Sequence, residues 1–323
     1  MNGSRHNGLD DETVRACVRR YVSSLPDRVA IRPCSTGKFN TSFYVEIPGA
    51  PLVIRIAPPP GTELLFYERN MMAQEPQLHR LLRARTSVPV PKIVAYDTEH
   101  EAVDRDFLLM ECLPGRSLTE AGGVGERFVN QVFRQVGACL AEVHALHAEE
   151  YGYLGAHRCM EPQPTWWRAF RIMWNSLIAD NLRCGGYSEE EASRLRRMLE
   201  RYRPAFDRDV PASLLHMDIW HQNILVDDAG RVTGILDWDR ALWGDPEIEF
   251  AVLDYCGVSA PEFWEGYGSA RPETPEAAIR QRFYLLYEVQ KYVLISLGRR
   301  RNRAQAEAYR QHVFQLTAPL MTE

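Results

Sequence analysis

The chain has 323 residues, with 38 Lys and Arg against 43 Asp and Glu, a formal net charge of −5, and 45% hydrophobic residues. This is ordinary globular composition, and the length suggests about two domains sharing one active site. The mildly acidic balance excludes a broad nucleic-acid-binding face and suits a cationic small molecule better than an anionic polymer.

The first 17 residues contain no apolar run, so no signal peptide is expected. Asp10 or Asp11 caps a predicted helix over residues 12–23, expected to pack on the N-terminal lobe. Three strands follow, at 29–35, 41–47 and 52–57. The loop between the first two, Thr36-Gly-Lys-Phe-Asn40, contains a glycine and is suited to laying backbone amides over phosphates, with Ser35, Gly37, Asn40 and Thr41 as candidates. Arg55 interrupts the apolar strand Leu52-Val-Ile-Arg-Ile56 and is either a solvent-facing residue or a phosphate-binding cation.

Residues 62–84 are predicted to form a long helix. Glu68 and Glu75, seven apart, share a face; Glu68 is expected to be exposed, and Pro76 kinks the helix or starts a new one. Residues 92–97 and 107–112 complete a five-stranded set, and Leu113-Pro-Gly-Arg116 has the composition of a linker between lobes. Residues 126–147 show helical periodicity in Phe128, Val132, Val136, Leu140 and Val143. His144 and His147 at its end are expected to be satisfied core or helix-end residues rather than metal ligands. A helical insertion spans 151–210, with Trp167, Phe170, Trp174, Leu177 and Ile178 on one apolar stripe; Trp166 and Arg168 are candidates for reaching a substrate pocket. Late in the chain, the apolar segment 283–297 contains Glu288, Gln290 and Lys291, so no membrane span is expected, and residues 299–303 form a basic run expected on the solvated surface. The seven cysteines are odd in number and form no C-x-x-C pair, as in a reduced, cytoplasmic protein.

The most informative stretch is residues 214–239, LLHMDIWHQNILVDDAGRVTGILDWD. Apolar segments at 224–226 and 232–236 flank a polar turn containing Gly230, which predicts a β-hairpin. Asn223 and Asp237 then stand at its open end, with Asp218 just upstream. One carboxylate and one amide suit Mg²⁺, which keeps waters and takes substrate phosphates as further ligands. Asp218 is left to orient a hydroxyl and accept its proton.

His216, Asp218, Asn223 and Asp237, followed by Ile235-Leu-Asp-Trp238 and by Gly244-Asp-Pro246 with Glu249, resemble the aminoglycoside phosphotransferase family of small-molecule kinases. The contiguous match covers about 36 residues, with weaker matches from about residue 31 onward. Met217 departs from the family's usual glycine and is expected to alter only packing, while Trp220 resembles the fructosamine-kinase branch. The resemblance implies an α+β, bilobal protein-kinase-like fold. Its parts are a nucleotide-binding lobe at 1–110 with a five-stranded antiparallel sheet, a hinge at 111–116, and a mainly helical catalytic and acceptor-binding lobe at 117–323. It further implies that Asp218 is the catalytic base and that Asn223 and Asp237 hold Mg²⁺. Arg55, paired with Glu75, would grip the phosphates of ATP or GTP, and the main chain of Glu111 and Leu113 would meet the base. His216 and Asp245 would support the site, Asp245 by bracing the loop of Asp218.

The expected reaction is transfer of a nucleotide γ-phosphate to a hydroxyl of an aminoglycoside or similar antibiotic. A ketoamine sugar, choline or a methylthio-sugar are the nearest alternatives, and a catalytically silent nucleotide-binding protein is the alternative of another class. The absence of a D-F-G motif, together with the inserted helices, counts against a protein kinase. Asp254, Glu262, Glu265 and Glu288 are the acidic candidates for contacting the acceptor.

Overall fold

A computed structural model of the chain describes residues 8–23, 25–26, 29–34, 39–155 and 158–321. Ser35 and Gly37, half of the candidate phosphate loop, lie outside the described residues.

The N-terminal lobe starts with α1 (Asp11–Arg19). Asp10 caps it by accepting from the Thr13 amide, a side-chain bond that satisfies one of the helix's open donors. Strands β1 (Ala30–Cys34), β2 (Thr41–Glu46) and β3 (Leu52–Ile56) follow. The chain then enters two short 3₁₀ turns, Phe66–Glu68 and Met71–Gln74, and α2 (Glu75–Arg85). Pro76 sits in the first turn of α2, where its missing N–H costs nothing, so it starts a helix instead of kinking the long one expected over 62–84. Strands β4 (Ile93–Asp97) and β5 (Phe107–Glu111) complete a sheet of order β1-β2-β3-β5-β4, antiparallel throughout. Val14, Cys17 and Val18 of α1 pack with Phe43, Ile54 and Phe107 on one sheet face, giving this lobe its own core.

The chain crosses through Cys112–Gly115 into the second lobe, where β6 (Arg116–Ser117) pairs with the later hairpin. Next come α3 (Glu126–His144), the short strands β7 (His147–Ala148) and β8 (Gly152–Tyr153), α4 (Trp166–Arg183) and α5 (Glu189–Arg201). Strand β9 (Ala212–Leu215) leads to the hairpin of β10 (Ile224–Val226) and β11 (Val232–Ile235), and β12 (Leu242–Gly244) returns beside β9. Helices α6 (Pro246–Tyr255), α7 (Pro261–Tyr267), α8 (Pro275–Leu294) and α9 (Arg303–Thr317) close the lobe. No helix of the described residues is long and apolar enough to cross a membrane.

The aromatic stripe of α4 is core: Phe170, Trp174, Leu177 and Ile178 are fully buried against α5 and α8. Trp166 belongs to the same core, donating its indole N–H to the Tyr284 hydroxyl at 2.7 Å, and Arg168 is exposed on the other side of α4. Neither reaches a substrate pocket, because the helix turns its large apolar face inward. Gly137 and Gly266 allow α3 and α7 to cross at backbone distance; a Cβ at Gly266 would stand 1.8 Å from the Arg134 carbonyl oxygen.

Candidate active site

Strand β9 delivers the chain to His216 at the floor of the cleft between the lobes. The β10–β11 hairpin pairs Ile224 with Ile235, and the Leu236 amide donates to the Asn223 carbonyl at 2.9 Å. Asn223 and Asp237 therefore flank the open end. The Asn223 amide donates to the backbone carbonyl of Asp218 at 2.9 Å and to its carboxylate at 3.1 Å. Asp237 adopts a left-handed backbone, φ 67°, which turns its carboxylate out of the strand.

The loop carrying Asp218 is held from beneath. The His216 ring accepts from the Asp218 amide at 3.1 Å on Nδ1, so Nε2 carries the proton and donates to the Leu236 carbonyl at 2.9 Å. The ring lies 4.3 Å from the Trp238 ring, and burial lowers its pKa, favouring the neutral form. Glu249 accepts from the amides of His216 and Met217 at 3.1 and 2.6 Å and meets His144 Nε2 at 2.8 Å. His144 Nδ1 meets the Tyr267 hydroxyl at 2.8 Å, so this histidine is satisfied within the core.

The brace is thus Glu249, not Asp245. Asp245 caps α6 through the Glu247 amide and is taken up by Arg208 at 2.6 Å and Tyr284 at 2.9 Å. It starts the helix, while Glu249, one turn further on, faces the loop. Met217 is also more than a packing change: its φ is 68°, a conformation that glycine adopts freely and other residues adopt at a cost of roughly 1–2 kcal/mol.

Arg55 crosses from β3 to join the two lobes. It donates to Glu75 at 3.0 and 2.8 Å, to Asp237 at 2.7 Å and to Asp239 at 2.9 Å. Glu75 is fully buried; burial alone would raise its pKa, but Arg55 and His79 together offset this and hold it below the usual carboxyl value. Asp237 and Asp239 are pushed upward, first by burial; at Asp239 repulsion from Asp237 comes next, and at both Arg55 opposes the rise. Asn40 adds a 3.4 Å contact to Asp239. Three carboxylates thus share one guanidinium, with Asp218 close by. Excess negative charge built from hard oxygen donors fits a small divalent cation, and Asn223 and Asp237 are the residues able to hold it. Among the described residues there is no group of three or more His, Cys, Asp or Glu side chains arranged to hold a metal ion by themselves.

Asp218 has two cationic neighbours that sequence reasoning missed. Arg240 donates to its Oδ1 at 2.9 Å, and Lys291 Nζ lies 3.9 Å away. Burial would raise the Asp218 pKa, but Arg240 and then Lys291 outweigh it and keep the carboxyl below its usual value. Arg240 directly follows the recognised motif, but nothing in sequence brings Lys291 of α8 to that point. Glu288, one turn before Lys291, is buried behind both cations, pairing with Arg240 at 3.2 Å and contacting Lys291.

The cleft encloses about 650 Å³. Glu111 and Leu113 line its back, although the Glu111 amide is already given to the Lys92 carbonyl at 2.9 Å. Ser42 lines it in place of Thr41, because neighbouring strand residues face opposite ways. Three acidic candidates are elsewhere: Asp254 is paired with Arg271 at 2.7 Å, Glu262 accepts from Asn130 at 2.8 Å, and Glu265 is paired with Arg134 on the α3–α7 contact. None of the three lines the cleft; their partners are Arg271, in the connection between α7 and α8, and Asn130 and Arg134 on α3. Glu68, expected to be exposed, is buried and paired with Arg299. Arg299 also donates to the Glu63 carbonyl at 2.9 Å, so the basic run begins as a contact closing one end of the cleft rather than as free surface.

Comparison with known proteins places this geometry. The structure of APH(2")-IIia in complex with GDP and kanamycin matches with a TM-score of 0.68 at 16% identity, covering 95% of this chain and 98% of the other. The architecture is the bilobal, protein-kinase-like one of the aminoglycoside kinases, with its five-stranded antiparallel sheet and helical lobe. The model of the phosphotransferase enzyme family matches residues 30–282, and the chain belongs to that family. The probable ketoamine kinase YniA of Escherichia coli K12 is 29% identical over 226 residues, covering 67% of this chain and 71% of its own length. The probable acyl-CoA dehydrogenase IBR3 of Arabidopsis thaliana is 23% identical over 315 residues, and there the match takes in 84% of this chain but spans only 36% of the relative.

Proposed function

We propose that this protein transfers the γ-phosphoryl group of a magnesium-bound nucleoside triphosphate to a hydroxyl of a small molecule. The observation that carries the reading is the meeting of Asp218, Asn223 and Asp237 at one hairpin end, with Arg55 reaching Asp237 from the other lobe.

In this reading the bond from the γ-phosphorus to the β–γ bridging oxygen breaks as a bond to the acceptor oxygen forms. The hydroxyl proton passes to Asp218, and the nucleoside diphosphate leaves. Asn223 and Asp237 hold Mg²⁺, which when bound neutralises charge on the phosphate oxygens. Arg55 grips the phosphates, and Glu75 fixes the guanidinium so that binding needs little reorganisation. Asn40 contacts the phosphates, and the main chain of Glu111 and Leu113 meets the base. Glu249 and His216 hold Asp218 in place from below. ATP and GTP are both compatible with these contacts.

The similar proteins bring two acceptor classes, an aminoglycoside and a ketoamine. The test is a coupled assay of nucleoside diphosphate release by the purified protein, with Mg·ATP and Mg·GTP, against antibiotics and hydroxylated metabolites. Acceptor-dependent release that disappears in Asp218→Asn supports the reading; acceptor-independent release unchanged by that substitution sinks it.

A further inference from the structure

The phosphate-binding end of the cleft is acidic, but its other end is not. Beyond Asp218 the wall carries Arg240, Lys291 and Arg300. The carboxylate facing them is Asp218, with Glu288 behind. Cations therefore exceed carboxylates by one, even when the buried glutamate is counted. Arg240 is fixed by packing as well as by charge, its guanidinium lying 5.2 Å from the centre of the Tyr67 ring. Arg299 stands apart from this wall, packed 5.0 Å from the ring of Phe39 and paired with Glu68, whereas exposed Arg300 has one 3.3 Å contact with the neutral Gln305.

A polyammonium acceptor needs carboxylates free to pair with it. Asp254, Glu262 and Glu265 are paired away from the cleft, and Glu68 and Glu288 are already taken by arginine and lysine. Ammonium groups entering here would meet like charge at short range, where it is poorly screened. An anionic group would meet the opposite. It could use Arg300, which has a neutral partner, and the N–H donors that Asp218 and Glu288 leave over on Arg240 and Lys291, with Asp218 remaining to receive the hydroxyl proton. Arginine's planar fork matches a carboxylate or a phosphate with two parallel hydrogen bonds.

We propose that the acceptor is an anionic alcohol, carrying a carboxylate or phosphate that docks on Arg240 and Lys291 with Arg300 at the mouth. This rests on the kinase reading above: the bonds exchanged are the same, and the inference concerns only the charge of the acceptor.

The test uses the full chain with Mg·ATP and Mg·GTP in three arms. Glycerate, 3-hydroxybutyrate and glycerol 3-phosphate form the anionic arm, sorbitol and glycerol the neutral arm, kanamycin and choline the cationic arm. The expected result is turnover in the anionic arm. Its KM should rise with salt, and Lys291→Met and Arg300→Glu should each raise it roughly 10- to 100-fold, the scale of a lost charge-assisted contact, with the nucleotide KM nearly unchanged. Arg300 is exposed, so its substitution reads the charge of the wall without threatening the fold. Turnover confined to the neutral or cationic arm, or an anionic KM indifferent to both substitutions, overturns the proposal. Turnover in no arm overturns it as well. In that case Mg²⁺-dependent nucleotide binding, measured by thermal shift, tells whether the kinase reading falls too: retained binding spares it, and absent binding removes it.

Discussion

Arg55 and Asp237 are 182 residues apart in sequence and 2.7 Å apart in space. One guanidinium links the N-terminal sheet to the hairpin end and, through Glu75, to α2. The contact joins the residue expected to grip phosphate to one expected to hold the metal.

Arg55→Ala is expected to raise the KM for nucleotide more than the KM for acceptor. It also leaves Glu75, fully buried, without its cation, and breaking a buried pair from one side costs about 3–5 kcal/mol. Steady-state kinetics with each substrate varied, together with chemical denaturation, checks both. Equal effects on the two KM values would remove the phosphate-gripping role.

Asp237→Ala is expected to abolish the magnesium dependence of nucleotide binding, since it removes the only carboxylate assigned to the ion. It also deprives Arg55 of one of its three acidic partners. Calorimetry with and without Mg²⁺ makes the comparison, and unchanged metal dependence would put the ion elsewhere.

Asp218→Asn keeps the shape of the side chain and its contact with Asn223 but cannot accept a proton at neutral pH. Nucleotide affinity should stay near that of the parent protein, while kcat falls about 10²–10⁴-fold, the usual scale for loss of a general base. Thermal-shift titration reads the binding and the coupled assay reads the rate. Parent-like turnover would exclude Asp218 as the base.

Glu249→Gln tests the support beneath the loop through pH. Burial works to raise the Glu249 pKa, but the hydrogen bond and charge of His144, with further help from His216 and the Met217 amide, hold it below the usual 4.5. The folded state therefore favours the ionised carboxylate, and its contribution is full above about 4.5 and is lost as pH falls through the lowered folded value. At pH 7 the substitution should cost about 2–3 kcal/mol, the scale of hydrogen bonds to a charged group. The gap between the two proteins in urea denaturation should narrow below pH 4.5. A gap independent of pH would mean that Glu249 acts through shape alone.

Much of this protein was legible before any coordinates. The five strands and the hairpin with Asn223 and Asp237 at its open end follow from local pattern, while the Arg55–Glu75 pair is implied by the family resemblance. Alternation, turn chemistry and capping act over a few residues, so a linear reading suffices for them. It failed where burial or a distant partner decides. Pro76 starts a helix because the preceding residues coil into 3₁₀ turns against the other lobe. Glu68 is buried because Arg299, 231 residues on, comes to meet it. Glu249 rather than Asp245 braces the loop because α6 turns that side chain, and not the capping one, toward the amides of His216 and Met217. The charge of the far wall of the cleft was hidden most completely. Lys291 and Asp218 are 3.9 Å apart only after α8 packs against α6 and α4, and a charge field is a sum over neighbours in space, which the order of residues does not specify.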